Sequence, residues 1–318
     1  MIYGHLPEDP QWQLLEHPLT MKQYFMLPHI HETFFELNLN IVSPVYTHKI
    51  TLEPGQSYGE VLIATSTDGV ELSGSLRDKS DTKIEGGDFV YFDHDQNLWR
   101  CRFAPQKVGN HPILIFGGKK SKANKSTLSC AVEFNFDIDH LSTATISYPI
   151  TSSHFFSYHL QIVKPINTCY IDWSSDKNFP YCKILVRSPN DVHLSATVAD
   201  SITGMNIENG TLVNFNSQES LWQYLFAPAA SDASYKLTLF ARYVNENQSH
   251  CFAQFYLQRI DKSMLQNYSL LPFTYGSFHE AKCHLYEPLD GILKRGSKIR
   301  FHCRIPDAHE MNITVDGQ

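Results

Sequence analysis

The segment Leu98-Trp99-Arg100-Cys101-Arg102-Phe103-Ala104-Pro105 returns later in the chain as Leu221-Trp222-Gln223-Tyr224-Leu225-Phe226-Ala227-Pro228. Two flanking blocks echo in the same order. Val70-Glu71-Leu72-Ser73-Gly74-Ser75-Leu76-Arg77-Asp78 matches Val192-His193-Leu194-Ser195-Ala196-Thr197-Val198-Ala199-Asp200, and Cys130-Ala131-Val132-Glu133-Phe134-Asn135-Phe136 matches Cys251-Phe252-Ala253-Gln254-Phe255-Tyr256-Leu257. Three ordered echoes at a nearly constant offset, 121 from Cys130 to Cys251 and 123 from Leu98 to Leu221, imply a tandem of whole domains, because solenoid units repeat every ~20–50 residues. What repeats is packing residues. No set of catalytic side chains repeats with them.

Within each copy the apolar residues alternate with period two: Leu62 and Ala64, Val70 and Leu72, Val90 and Phe92, Trp99, Cys101 and Phe103, then Ile113 and Ile115, bounded by Gly, Pro, Asp and Asn. Residues 128–137 add a last strand. The second copy predicts strands near 157–163, 182–187, 192–199, 211–215, 221–226, 235–242 and 250–258. Seven short strands per copy are the pattern of an antiparallel sandwich. Charged residues make up 19% of the chain, below the usual ~25%, which suits short alternating strands better than solvated helices. The 318 residues leave room for roughly two or three domains.

Residues 1–45 read differently. Thr20 is the expected N-cap of a short helix from Met21, ended by Pro28, although no acid three residues on completes a capping box. His31 to Leu37 is a second expected helical turn. Ser/Thr-rich sequence at 138–156 reads as a linker with one possible strand. A third start, Leu285-Tyr286-Glu287-Pro288-Leu289-Asp290-Gly291 leading into Lys298-Ile299-Arg300-Phe301-His302-Cys303-Arg304, carries only about three strands. A half-sandwich leaves its apolar face uncovered, so the chain is expected to be a piece truncated at both ends.

A net charge of −7 argues against a nucleic-acid surface, which needs clustered Lys and Arg. The cluster Lys119, Lys120, Lys122 and Lys125 is read as a solvated hairpin loop. No apolar run approaches the ~20 residues of a membrane span, and the N-terminus has neither the basic nor the apolar region of a signal peptide. The seven cysteines show no CxxC spacing, so neither a thiolate metal site nor a disulfide framework is expected. Asn-x-Ser/Thr triplets at Asn124, Asn209, Asn247, Asn267 and Asn312 are read as chance in a cytoplasmic chain.

Three candidate chemistries are weighed. Gly55-Gln56-Ser57-Tyr58-Gly59 fits G-x-S-x-G, but a nucleophile elbow needs a helix after the Ser, and Glu60-Val61-Leu62-Ile63-Ala64-Thr65 reads as strand. His29 and His31 with Glu32 could be imagined as metal ligands; a site needs three or four ligands, and they are read as surface residues. The cysteines lie mostly in strand pattern, and catalytic thiols sit at helix N-termini beside a base. Trp99 and Trp222 are read as core anchors of their sandwiches. No catalytic, cofactor-binding or metal-ligating residue is therefore assigned, and no cofactor is expected.

The opening block His5-Leu6-Pro7-Glu8-Asp9-Pro10-Gln11-Trp12-Gln13-Leu14-Leu15 with Pro18-Leu19-Thr20, Phe34-Phe35-Glu36-Leu37 and Ser43-Pro44 resembles the stretch after the transglutaminase-like core in the kyphoscoliosis peptidase and hillarin family. Cys283-His284-Leu285-Tyr286-Glu287-Pro288-Leu289, Gly291, Leu293-Lys294-Arg295-Gly296 and Ile305-Pro306 resemble that family's C-terminal immunoglobulin-like repeats. The resemblance implies a cytoskeletal, often muscle-associated protein whose Cys-His-Asp triad precedes the His5 block, so no triad member falls on this sequence. The expectation is an all-β tandem: the tail of a transglutaminase-like domain at 1–45, immunoglobulin-like sandwiches at 46–140 and 157–262, linkers at 141–156 and 263–282, and a truncated third sandwich at 283–318. Its expected function is a non-catalytic interaction or scaffolding region that binds cytoskeletal or muscle proteins, with no nucleic acid or membrane as partner. The alternative is a regulatory or substrate-presenting part of an active transglutaminase-like cysteine peptidase. An extracellular adhesion protein, a third reading, would need a signal peptide or occupied glycosylation sites.

Overall fold

A computed structural model describes residues 20–93, 95–119, 128–141, 145–171, 181–227, 234–257 and 270–314. The His5 block and Lys120, Lys122 and Lys125 lie outside the described residues. No described helix is long and apolar enough to cross a membrane.

The first unit runs α1 (Met21–Tyr24), β1 (His29–Ile30), α2 (Glu32–Glu36), β2 (Leu39–Ser43), β3 (Lys49–Ile50), β4 (Gly59–Thr65), β5 (Val70–Leu76), β6 (Asp88–Asp93), β7 (Leu98–Phe103), β8 (Gly109–Lys119) and β9 (Ser129–Ile138). The second runs β10 (Ile150–Thr151), α3 (Ser153–Ser157), β11 (Gln161–Lys164), β12 (Tyr170–Ile171), β13 (Cys182–Arg187), β14 (Val192–Asp200), β15 (Thr211–Asn216), β16 (Leu221–Phe226), β17 (Tyr235–Tyr243) and β18 (His250–Leu257). A third segment contributes α4 (Gly276–Glu280), β19 (His284–Glu287) and β20 (His302–Arg304).

The two units match strand for strand. In the first, one sheet has the order β1-β9-β8-β5, with β3 parallel to β9, and the other β2-β4-β7-β6. In the second, the sheets are β10-β18-β17-β14, with β12 parallel to β18, and β11-β13-β16-β15. Register agrees as well. Phe103 faces Gly59 and Asp88, and Phe226 faces Cys182 and Thr211. Ladder irregularities fall after Ile115 and after Leu239, at the same place in the two long hairpins. Leu72 and Leu194, each the third residue of its strand, are buried, as are Phe103 and Phe226. The three sequence echoes thus occupy equivalent strands, which is what a duplicated sandwich requires.

Alternation explains the cores. In β7, Trp99, Cys101 and Phe103 point inward, while Leu98, Arg100 and Arg102 are only partly covered. The inward residues of both sheets then meet around Val61, Ile63, Leu72, Ile113 and Phe134. The second core gathers Ile184, Val186, Leu194, Trp222, Tyr224, Leu237 and Phe255.

Short elements ahead of the alternating pattern pair with each sandwich. The strands β1 and β2, expected to belong to a preceding domain, pair with β9 and β4 of the first sandwich. In the second, β10 pairs with β18 across what reads in sequence as linker. The physical reason is length. The opening strands span two residues and the helices after them five, too short to imprint a period on the sequence. The cap of α1 also differs from expectation: the Thr20 hydroxyl accepts from the Gln23 N–H while the Gln23 side chain accepts from the Thr20 N–H. Gln23 completes the capping box without an acid.

The opening module occurs three times. Leu27-Pro28, Tyr148-Pro149 and Leu271-Pro272 are each followed at the same spacing by a phenylalanine, Phe34, Phe155 and Phe278, and then by Pro44, Pro165 and Pro288. A residue with positive φ follows each helix: Asn38, His159 and Lys282. The third copy of the module starts at Leu271-Pro272.

Candidate functional site

The joints between units are built from backbone hydrogen bonds and aromatic contacts. Gly86 in the turn before β6 accepts from the Tyr148 N–H at 2.7 Å, and Asn209 before β15 accepts from the Leu271 N–H at 2.8 Å. At the first joint Tyr148 stacks on Phe89 with ring centroids 5.7 Å apart, and Phe155 of α3 lies 6.0 Å from Phe89. The neighbouring Phe156 lies 6.1 Å from Trp99. Tyr148 and Phe155 are buried, and a buried ring of this size contributes about 1.5–3 kcal/mol. The two sandwiches consequently share one continuous apolar cluster that holds Phe89 and Ala104 together with the second core.

The second joint keeps the backbone contact and changes the chemistry. Phe278 and Leu271 pack with Leu212, Leu225 and Ala227. The Asn214 amide reads the third segment at two points, donating to the Leu285 carbonyl at 3.2 Å and accepting from the Leu285 N–H at 3.1 Å. The Phe215 N–H donates to the Cys283 carbonyl at 3.0 Å. Asn214 is buried, and a buried amide satisfied this way fixes register rather than merely adding affinity.

Beside the first joint lies a charged network. Glu60 on β4 accepts from Arg100 at 2.9 Å and from Arg102 at 2.8 Å, and Asp93 accepts from Arg100 at 2.8 Å. The Arg102 guanidinium sits 5.1 Å from the Tyr58 ring and 5.2 Å from the Tyr91 ring, a cation–π sandwich. The hydrogen bond from Arg100 holds the Asp93 carboxyl below its ordinary value. The second unit has Lys183, Gln223, Leu225 and Asn216 at the positions of Glu60, Arg100, Arg102 and Asp93, so it does not repeat this network. In the sequence these arginines stand out only as part of an echo; their i, i+2 spacing on a strand is the signal that they share a face.

Ser57 precedes a strand, as expected: β4 begins at Gly59. The glycines of the motif are structural. Gly55 has φ of 88°, and a Cβ on Gly59 would lie 2.5 Å from Ile50 Cγ2 and 2.9 Å from Phe136 Cζ. None of the seven cysteines, all of them among the described residues, is in a disulfide. Burial raises the thiols of Cys101, Cys130, Cys169, Cys251 and Cys283 above their ordinary value, the opposite of what a nucleophile needs. Trp99 and Trp222 are buried, with Trp222 Nε1 donating to Ser188 Oγ at 2.9 Å. Lys119 ends β8.

The histidine pair gains a partner the sequence did not suggest. His29 Nδ1 lies 3.6 Å, and His31 Nε2 2.7 Å, from Glu133 Oε1. Glu32, the acid adjoining them in sequence, is instead the first-turn acid of α2. Glu133 is on β9, directly across the ladder from His29, and a partner so distant in sequence leaves no local signal.

Two copies of a sandwich of nine strands each, two more than the seven the alternating pattern predicts because the two-residue strands are too short to show a period, with closely matching register and joined through a repeated docking module, define a tandem of immunoglobulin-like domains. The sequence matches the KY-like, immunoglobulin-like domain family twice, over residues 21–149 and 142–263, and the chain belongs to that family. Among curated proteins none matches the chain significantly. Among solved structures, the titin domains z1z2 in complex with telethonin are 12% identical, with a TM-score of 0.20, covering 70% of this chain and 96% of that one. The I-band fragment I67-I69 from titin is 10% identical with a TM-score of 0.20, covering 73% and 65%. Titin-A168169 is 9% identical with a TM-score of 0.20, covering 74% and 99%. At that TM-score the likeness carries no argument about this chain.

Proposed function

We propose that this chain is the non-catalytic scaffolding region of a cytoskeleton-associated, kyphoscoliosis-peptidase-like protein, and that it acts in the cytoplasm on cytoskeletal or muscle proteins. The observation that carries this reading is the joint. A docking module that is built twice, with the same backbone hydrogen bond and a phenylalanine at the same place, holds successive sandwiches at a set spacing and presents their outer faces in a set order. That is a property of a ruler or platform and has no use in a hydrolytic site. Buried thiols support the same view, because nucleophilic catalysis by Cys needs a thiolate within reach of a base. Partners would meet the outer sheet faces and the edge strands β5 and β14, each with one strand neighbour in its sheet, where strand addition is available.

In this proposal the first sandwich extends from about β1 to β9, the second from β10 to β18, and the third opens near Leu271. The test is incubation of the fluorescently labelled chain with washed myofibrils, together with a thiol-reactive activity probe. Saturable labelling restricted to particular bands, and no substrate-protected probe labelling of any one Cys, is the expected result. Diffuse, unsaturable labelling, or probe labelling that substrate blocks and one Cys substitution abolishes, contradicts it.

A further inference from the structure

We propose that His29, His31 and Glu133 bind one zinc-class divalent cation, a site present on the first sandwich and absent from the second. Two imidazole nitrogens converge on one carboxylate oxygen, at 3.6 and 2.7 Å from Glu133 Oε1. One donor atom from each of the three residues lies within 4.8 Å of the others. Ligands bound at Zn²⁺ lengths in a tetrahedron sit roughly 3.3–3.5 Å apart, so small rotations of the side chains close the three around an ion. Imidazole donors select a borderline-soft metal over Mg²⁺ or Ca²⁺, which take oxygen ligands. Three protein ligands leave the fourth position to water or to a group from a partner.

The backbone sets this geometry before any metal arrives. His29 and Glu133 are cross-strand partners. The His31 N–H donates to the Ala131 carbonyl at 2.9 Å, which continues the ladder one residue past β1 and turns the His31 ring to the same face as His29, the ring centroids being 4.5 Å apart. A site held by a strand ladder is more exact than one on a loop.

The duplication supplies an internal control. Ile150 pairs with Gln254 as His29 pairs with Glu133, and the Ser152 N–H donates to the Phe252 carbonyl as His31 does to Ala131. The three ligands His29, His31 and Glu133 thus correspond to Ile150, Ser152 and Gln254 in the same scaffold. The Ser152 hydroxyl has a structural role, since it caps α3 by accepting from the His154 N–H at 3.2 Å. His31 occupies the cap position of α2 and makes no side-chain cap. The first unit therefore gives up a helix cap that its sister keeps, and spends that position on an imidazole aimed at Glu133. A bound ion would fasten the edge strand β1 to β9.

The test is a Zn²⁺ titration of the chelator-treated full chain by calorimetry and thermal melting, comparing the wild type with His31→Ser and Glu133→Gln. His31→Ser installs the residue that caps the sister helix, so its metal-free melting temperature should equal or exceed that of the wild type. It should nevertheless lose one equivalent of Zn²⁺, or bind that equivalent at least ten-fold more weakly, and the Zn²⁺-induced rise in melting temperature should shrink with it. Glu133→Gln should show the same loss. Zn²⁺ binding of equal stoichiometry and affinity in the wild type and His31→Ser would overturn the site. An equal stabilisation by Mg²⁺ alone would overturn the assignment to a zinc-class ion.

Discussion

Trp99 and Trp222 occupy the same ladder position, opposite Phe92 and Phe215, and their burial was legible from alternation alone. Their neighbours were not. Trp222 is satisfied within its own unit by Ser188, whereas Trp99 packs on Phe156 of the following unit. Trp222→Ala should cost about 3–5 kcal/mol, as large-to-small core changes do, and leave the first unit intact. Trp99→Ala should cost a similar amount and also loosen α3. Denaturant melts give the magnitudes, and amide exchange of Leu160, whose N–H donates to Phe155 at 3.1 Å, reports on α3. Faster exchange there in Trp99→Ala and unchanged exchange in Trp222→Ala is the expected pattern. A loss under about 1 kcal/mol in either variant would place that ring outside the core. The histidine–carboxylate cluster shows the opposite side of legibility. Glu32 adjoins His31 in the sequence, whereas only strand pairing brings Glu133 near.

At the scale of elements, the long strands wrote themselves into the sequence and the opening modules did not. A strand such as β13 buries every second residue; β1 and β10 are too short to show a period, and α2, α3 and α4 are little more than one turn. What could have found them is the fixed spacing of Leu27-Pro28, Tyr148-Pro149 and Leu271-Pro272 from Phe34, Phe155 and Phe278. The second joint carries a pH prediction. Burial holds the imidazoles of His193, His279 and His284 below their ordinary value. With the folded value depressed, the undocked state binds more protons between the two values. Docking is therefore favoured fully above the ordinary histidine value, and that contribution is lost as pH falls through the depressed values. Exchange protection of the Phe215 and Leu285 N–H groups, corrected for intrinsic rates, should decline over this window. His279→Phe, which installs the residue type found at Phe156, should make the decline shallower; an unchanged profile would remove His279 from the effect.

For the molecule as a whole, the duplication and sandwich class were readable in the echoes, while the joint between the sandwiches was not. It depends on Tyr148, Phe89 and Phe155 meeting across units, and contacts between units follow no sequence period. Phe155→Ala should cost about 3–5 kcal/mol and uncouple the sandwiches while leaving each one folded, seen as two separated unfolding transitions. The central claim is that the repeated joint locks the sandwiches at a set orientation, and residual dipolar couplings of the backbone amides in weakly aligned solution test it most directly. A single alignment tensor fitting β2–β9 and β11–β18 together is the predicted result. Two tensors of different magnitude and orientation would mean that the sandwiches move independently, and would contradict the account.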